Sequence, residues 1–199
     1  MSRWYDLIAG SSEQKLSAVG LEMLNIQEGE KILEIGFGTG YNMLQLANAV
    51  GTSGKVFGID ISEGMHKMTR TRMQRAGLLN RVILILGDAM AYPFETNFFN
   101  AIFISFTLEL FDTPDIPVFL QNCKKILHPD GRICVVSLSK KNNPMVKLYE
   151  LVHNLFPKYL DCRPIYVQQS MIDAGFTITE VKELSMWGLP VDVVLANKR

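Results

Sequence analysis

The chain has 199 residues, of which 48% are hydrophobic, and 20 basic side chains balance 20 acidic ones. A chain this long and this apolar can bury one sizeable core, which predicts a single domain and excludes a disordered one. Zero net charge disfavours a polyanion binder, whose affinity would come from Lys and Arg on phosphates, so no nucleic acid is expected as a partner. Three cysteines, Cys123, Cys134 and Cys162, form no CxxC pair and have no histidine at ligand spacing. They read as reduced thiols, with no metal centre. Residues 1–10 lack the charged start and long apolar stretch of a secretory signal, and no apolar run approaches the roughly 20 residues that span a bilayer. A cytoplasmic location is expected, with peripheral membrane contact at most; a homo-oligomer stays open.

The elements alternate through the first two thirds. Short apolar runs at 31–35, 55–59, 81–86, 101–106 and 132–138 predict strands. They are apolar almost throughout, as parallel strands covered on both faces are. Helical spacing falls between them, at 41–50, at 62–76 with Ser62 as N-cap and Gly77 as stop, and at 118–127. Strands alternating with helices imply an open, doubly wound α/β sheet. Beyond Asn142-Asn143-Pro144, residues 145–156 read as an amphipathic helix and 168–174 as a short one. Two last strands at 176–184 and 191–196 are joined by Trp187-Gly188-Leu189-Pro190, a link short enough for an antiparallel hairpin.

The strongest local signal is Glu34-Ile35-Gly36-Phe37-Gly38-Thr39-Gly40, between a strand and a helix. Glycines there allow a tight turn and a close approach of ligand to backbone, and the helix start adds unpaired N–H groups. The dinucleotide fingerprint is G-x-G-x-x-G, whereas here Gly36, Gly38 and Gly40 are spaced G-x-G-x-G and Tyr41 stands where its third glycine belongs. Glu34 would repel a pyrophosphate and attract a cation. S-adenosylmethionine, with an ammonium, a sulfonium and no phosphate, suits the loop better than NAD. Asp60, ending the second strand about 20 residues on, can accept hydrogen bonds from both ribose hydroxyls. Its other reading, an N-cap, is already filled by Ser62. After the third strand, Asp88 can accept the adenine amino group while the Ala89 N–H reads the ring. Three such sites on successive strand ends share the edge where open α/β sheets bind ligands.

Together these residues resemble a class I S-adenosylmethionine-dependent methyltransferase over about residues 20 to 140. Residues 32–40 resemble its cofactor loop, Gly58-Ile59-Asp60-Ile61-Ser62 its ribose-binding strand end, and Gly87-Asp88-Ala89 with Tyr92-Pro93-Phe94 its adenine segment. Residues 99–106 resemble its fourth strand, and Leu127-His128-Pro129-Asp130-Gly131-Arg132 the turn before its fifth. The resemblance implies a Rossmann-like sheet of order 3-2-1-4-5-7-6 with the last strand antiparallel, S-adenosyl-L-methionine as cofactor, and a small or lipid-like methyl acceptor.

Within that class the chain is most similar to the ubiquinone/menaquinone C-methyltransferase group, through Ile104-Ser105-Phe106-Thr107-Leu108, Ser139-Lys140 and the opening Trp4-Tyr5-Asp6-Leu7. The implied cofactor set is Tyr5, Glu34, Gly36, Gly38, Gly40, Asp60, Ile61, Asp88, Ala89 and Ser105. Three positions depart from that group. Leu108-Glu109-Leu110 replaces Leu-Arg-Asn, Ser137 replaces a glutamate late in the fifth strand, and Asn100 replaces an aspartate. Residues 1–25 are expected to form an N-terminal helix or lid, and 140–175 a substrate-side insertion, both within one domain of residues 1–199.

Methyl transfer is an in-line displacement accelerated by positioning and exclusion of water, and a phenol or carbon nucleophile also wants a base. Thr107, Glu109 and Asp112 follow the fourth strand at the cofactor edge. Glu109 is the expected catalytic carboxylate with Thr107 beside it, a solvated loop carboxylate being the alternative. His66, His128 and His153 share no metal spacing; His66 reads as outer-face and His128 as structural, while His153 could line a pocket. Trp4, Tyr5, Phe156, Tyr159, Tyr166 and Trp187 could cap the site or simply pack. Lys140, Lys141, Lys147 and Lys158 could touch a lipid surface or face solvent. The rival functions are a non-catalytic module that kept the fold and an NAD(P)-dependent oxidoreductase.

Overall fold

The computed structural model describes residues 3–140 and 163–198, with side chains from residue 12 onward. Seven strands form one sheet: β1 (Lys31–Ile35), β2 (Lys55–Asp60), β3 (Val82–Leu86), β4 (Phe99–Ser105), β5 (Leu127–Leu138), β6 (Thr177–Met186) and β7 (Leu189–Asn197). Their order is β3-β2-β1-β4-β5-β7-β6, with β7 antiparallel to both its neighbours and β1 to β5 parallel, as expected from the sequence. Among the described residues five α-helices accompany them: α1 (Arg3–Leu24), α2 (Tyr41–Ala49), α3 (Glu63–Arg75), α4 (Ile116–Ile126) and α5 (Val167–Asp173).

Alternation along the central strands feeds two cores, one on each face. On β4, Ile102 and Ile104 face Phe119, Leu120 and Met171 from α4 and α5. Ala101 and Phe103 face Met23 and Leu24 of α1 and Met43 and Leu46 of α2. Both faces are therefore dry, which is why these strands read as continuous apolar runs.

Helix α1 is tied to the sheet at its C-terminal end. Arg132 of β5 donates from Nε to the Leu24 carbonyl and from Nη2 to the Asn25 carbonyl, and grips Glu30 with two bonds of 2.8 Å. A guanidinium there satisfies carbonyls that the helix leaves unpaired. One turn earlier Gly20 lets the helix lie close: a Cβ there would stand 2.7 Å from Val136 and 3.0 Å from Phe103.

Ser62 caps α3 by accepting the Met65 N–H, and Gly77, at φ 69°, stops it. The Gly77 and Leu78 N–H groups return to the Gln74 and Met73 carbonyls, a Schellman ending. Most boundaries fall within a residue or two of expectation, and three differences have a local cause. β4 starts two residues earlier, at Phe99, and ends at Ser105, because Phe106 turns to φ 49°. The expected turn at 128–131 lies inside β5: Leu127 pairs with Phe99 and Arg132 with Ala101, so the intervening residues bulge out. The hairpin loop is only Trp187-Gly188, at φ 52° and 83°, the positive pair of a tight primed turn. The expected helix at 145–156, with His153, Phe156 and Tyr159, lies outside the described residues, as do Cys162 and most of the 140–175 segment. Among the described residues no helix is long and apolar enough to cross a membrane.

Candidate functional site

A cavity of about 890 Å³ opens at the C-terminal ends of β1, β2, β3 and β4. It sits where the chain leaves β1 for β2 on one side and β4 on the other, the switch point at which such sheets take ligands.

The glycine loop forms its floor and is pinned from three sides. The Gly36 N–H donates to the Ile59 carbonyl at 2.8 Å and the Gly38 N–H to Asp60 Oδ2 at 2.8 Å. From α3, Thr69 donates its hydroxyl to the Gly38 carbonyl at 2.7 Å. Gly36 has φ 73°, and a Cβ on it would fall 2.2 Å from the Thr107 hydroxyl, so only glycine lets the loop pass under the β4 turn. Gly38, at φ 50°, has nothing within 4 Å of the place a Cβ would take, which leaves a bare cradle. Gly40 ends the loop against Thr69 and starts α2, without lining the cavity.

Asp60 lines the cavity with its carboxylate fixed by two backbone donors, Gly38 on Oδ2 and Ser62 on Oδ1, each at 2.8 Å. A carboxylate has about four acceptor sites, so capacity for two more donors remains. Ile61, 78% exposed, forms the rim beside it. Asp88 and Ala89 line the opposite end, and the exposed Asp88 steadies its own turn by accepting the Met90 N–H. Ser105 and Thr107 line the β4 side, where Thr107 donates to the Ser105 carbonyl at 2.9 Å.

Two sequence-selected carboxylates do not reach the wall. Glu34 is 1% exposed beneath the loop, with neither oxygen in a hydrogen bond among the described residues. Burial holds its carboxyl well above the ordinary range; nearby Asn42 opposes that without a bond of regular geometry, and Asp60 adds to it. Glu109, also 1% exposed, turns inward to the end of β5, where Oε1 accepts the Leu138 N–H at 3.2 Å and Oε2 has no partner among the described residues. Burial raises it to about 7, opposed by the Ser137 hydroxyl and the Leu138 N–H and assisted by the charge of Glu13. The departures at 109 and 137 are therefore neighbours, with one carboxyl and one hydroxyl meeting across the β4 and β5 ends. Asn100 lies at the other end of the sheet, accepting the Lys31 N–H at 2.8 Å.

Helix α1 supplies a wall that residue spacing alone did not reveal. Glu13, Gln14 and Ser17 line the cavity, and the Ser17 and Ser105 hydroxyls meet at 2.7 Å, joining α1 to the end of β4. The available signal was the i, i+4 pair Glu13 and Ser17 on one helix face. Tyr5 and Trp4 fall within α1, in the part whose side chains are not described. Tyr166 and Trp187, 61% and 50% exposed, do not line the cavity. Asp112 pairs at the surface with Arg163 at 3.1 Å. His66 leans on Phe37, and His128 stays in the β5 bulge, its Nδ1 accepting the Asp130 N–H.

A parallel switch-point cavity with a glycine floor and carboxylates at successive strand ends defines a nucleoside-binding α/β domain. Residues 32–131, half of the chain, match the family model for a methyltransferase domain, and the chain belongs to that family. It is 31% identical over 137 residues to a demethylmenaquinone methyltransferase of Lactobacillus johnsonii, covering 68% of this chain and 55% of that protein. It is 30% identical over 146 residues to a ubiquinone/menaquinone biosynthesis C-methyltransferase of Burkholderia multivorans, covering 73% and 58%. The chain thus spans just over half the length of these curated relatives. A crystal structure of a SAM-dependent methyltransferase from Aquifex aeolicus shares the fold, with a TM-score of 0.71 at 23% identity over 92% of this chain and 89% of that one.

Proposed function

We propose that this chain is an S-adenosylmethionine-dependent methyltransferase acting on a small or lipid-like acceptor. The observation that carries it is the cavity itself, in which a bare glycine cradle, a fixed two-oxygen carboxylate and an Asp88-Ala89 end lie along one line of strand ends. The residues fit the cofactor. Gly38 leaves room for a ligand against the backbone, Asp60 keeps two acceptor sites for a ribose, and Asp88 with the Ala89 N–H suits adenine. Beneath the loop Glu34 is a buried carboxyl with no hydrogen bond of regular geometry among the described residues, and a cation in the cavity favours its charged form. Tyr5 is assigned to the same pocket from the N-terminal helix.

The cofactor supplies an electrophilic methyl group on a sulfonium. The protein's contribution is alignment and exclusion of water. Thr107 and Ser105 hold the β4 edge of the cavity, and Phe106, Leu110 and Phe111 make its adjoining wall apolar. Such a wall suits an apolar acceptor, as in the quinone-pathway relatives. Residues 1–25 and 140–175 are assigned to the acceptor side. Glu109, at the β5 end behind Thr107, serves as the proton-holding carboxyl of that side.

The test is a screen with methyl-labelled cofactor over quinols, phenols, amines, thiols and lipids. Label is expected on a hydroxylated apolar acceptor. Tight cofactor binding with no label on any class would replace this reading with a non-catalytic module.

A further inference from the structure

Neither the spacing of the motifs nor the matched family region, which begins at residue 32, includes the carboxylate that faces the cavity from α1. Glu13 is half-buried and lines the cavity. Burial raises its pKa above the ordinary carboxylate range. Its position is set rather than loose. One turn later Ser17 both donates to the Glu13 carbonyl at 2.8 Å and meets Ser105 at 2.7 Å, and the far end of the helix is held by Arg132.

The other charged side chains of the described lining, Asp60 and Asp88, belong to the loop and adenine ends. Among the described residues, the further carboxyl that feels Glu13 is Glu109, buried behind the β4 turn with no partner there for Oε2. On its own helix Lys15 is exposed and does not line the cavity. A partly desolvated carboxylate lining the same cavity as Phe106 and Phe111 is placed to take a hydrogen bond from an aromatic hydroxyl.

We infer that Glu13 meets the methyl acceptor, a neutral phenol or hydroquinone, and takes its hydroxyl proton during transfer. This rests on the cavity being the methyl-transfer site. The acceptor O–H bond breaks and its proton goes to the Glu13 carboxylate. The electron pair left on the acceptor forms the new bond to the methyl carbon, and the S–CH3 pair stays on sulfur as a neutral thioether. A carboxylate with a raised pKa is the better base for a phenol.

The experiment is calorimetric binding of 1,4-dihydroxynaphthalene, without oxygen, to the full chain saturated with S-adenosylhomocysteine, for wild type, Glu13→Gln and Glu13→Ala. Binding of S-adenosylhomocysteine alone is measured first. The expected result is unchanged S-adenosylhomocysteine affinity in all three, with at least tenfold weaker naphthol-type binding in Glu13→Ala, on the order of 1.4 kcal/mol or more. Glu13→Gln, which still accepts through its amide oxygen, retains more of that binding yet loses methyl transfer. Equal binding of the probe by wild type and Glu13→Ala, no binding by wild type, or a parallel loss of S-adenosylhomocysteine overturns the inference. Failure of the wild type to bind S-adenosylhomocysteine at all instead overturns the methyltransferase reading.

Discussion

Glu109 illustrates what a single buried carboxyl does to the energetics of this site. Its folded-state pKa is raised from 4.5 to about 7, so the folded protein keeps a proton that the unfolded chain releases. The sign follows from linkage: no cost arises below pH 4.5, the cost grows between pH 4.5 and 7, and it is complete above 7. A shift of that size is worth about 3 kcal/mol. Glu109→Gln, which keeps an acceptor for the Leu138 N–H, is expected to match wild type in urea unfolding at pH 4.5 and to exceed it by about that amount at pH 8. Equal stability at pH 8 would mean that burial does not raise this carboxyl's pKa. The residue scale is also where sequence reading stopped short. Asp60, Asp88 and Thr107 could be singled out because they follow predicted strands, and Ser105 through the family resemblance; all four line the cavity. Glu109 was singled out too, but it turns inward after the αL conformation of Phe106, which residue types do not announce.

At the scale of elements, the informative piece is α1. Its apolar pattern is weak, and what docks it is one missing side chain and one guanidinium rather than an apolar stripe. Gly20→Leu places atoms where Val136 and Phe103 already stand, at 2.7 and 3.0 Å from the first added carbon. Overpacking of this kind costs about 1–3 kcal/mol, and leucine's better helix propensity returns only about 1 kcal/mol. The expected outcome is lower stability in urea unfolding, with weaker S-adenosylhomocysteine binding as Ser17 leaves Ser105. Undiminished stability would show that α1 does not lie against β5 in this way. The parallel strands were legible because burial on both faces leaves a simple apolar run. The 128–131 bulge was not, since Pro129 and Gly131 look the same in a turn as in an interruption of a strand. The hairpin was visible as a pair of strands, but its two-residue loop places Trp187 at positive φ, against the preference of an aromatic residue.

For the molecule as a whole, the sheet order agrees with what the family resemblance implied, and the cavity lies at the sheet edge where the three strand-end motifs were expected to meet. The balanced overall charge hides a local bias: the described lining carries Glu13, Asp60 and Asp88, with Glu34 and Glu109 just behind it. That arrangement favours a cationic ligand over a pyrophosphate. The central claim is therefore about which nucleoside the cavity takes. Titration calorimetry of wild type and Asp60→Ala with S-adenosylmethionine, S-adenosylhomocysteine and NAD tests it most directly. The account predicts that both adenosyl ligands bind at one site, that NAD does not compete, and that Asp60→Ala weakens both roughly 5- to 150-fold, as loss of hydrogen bonds worth ~1–3 kcal/mol requires. Binding of NAD with neither adenosyl ligand, or an Asp60→Ala protein that binds them as well as wild type, would contradict it.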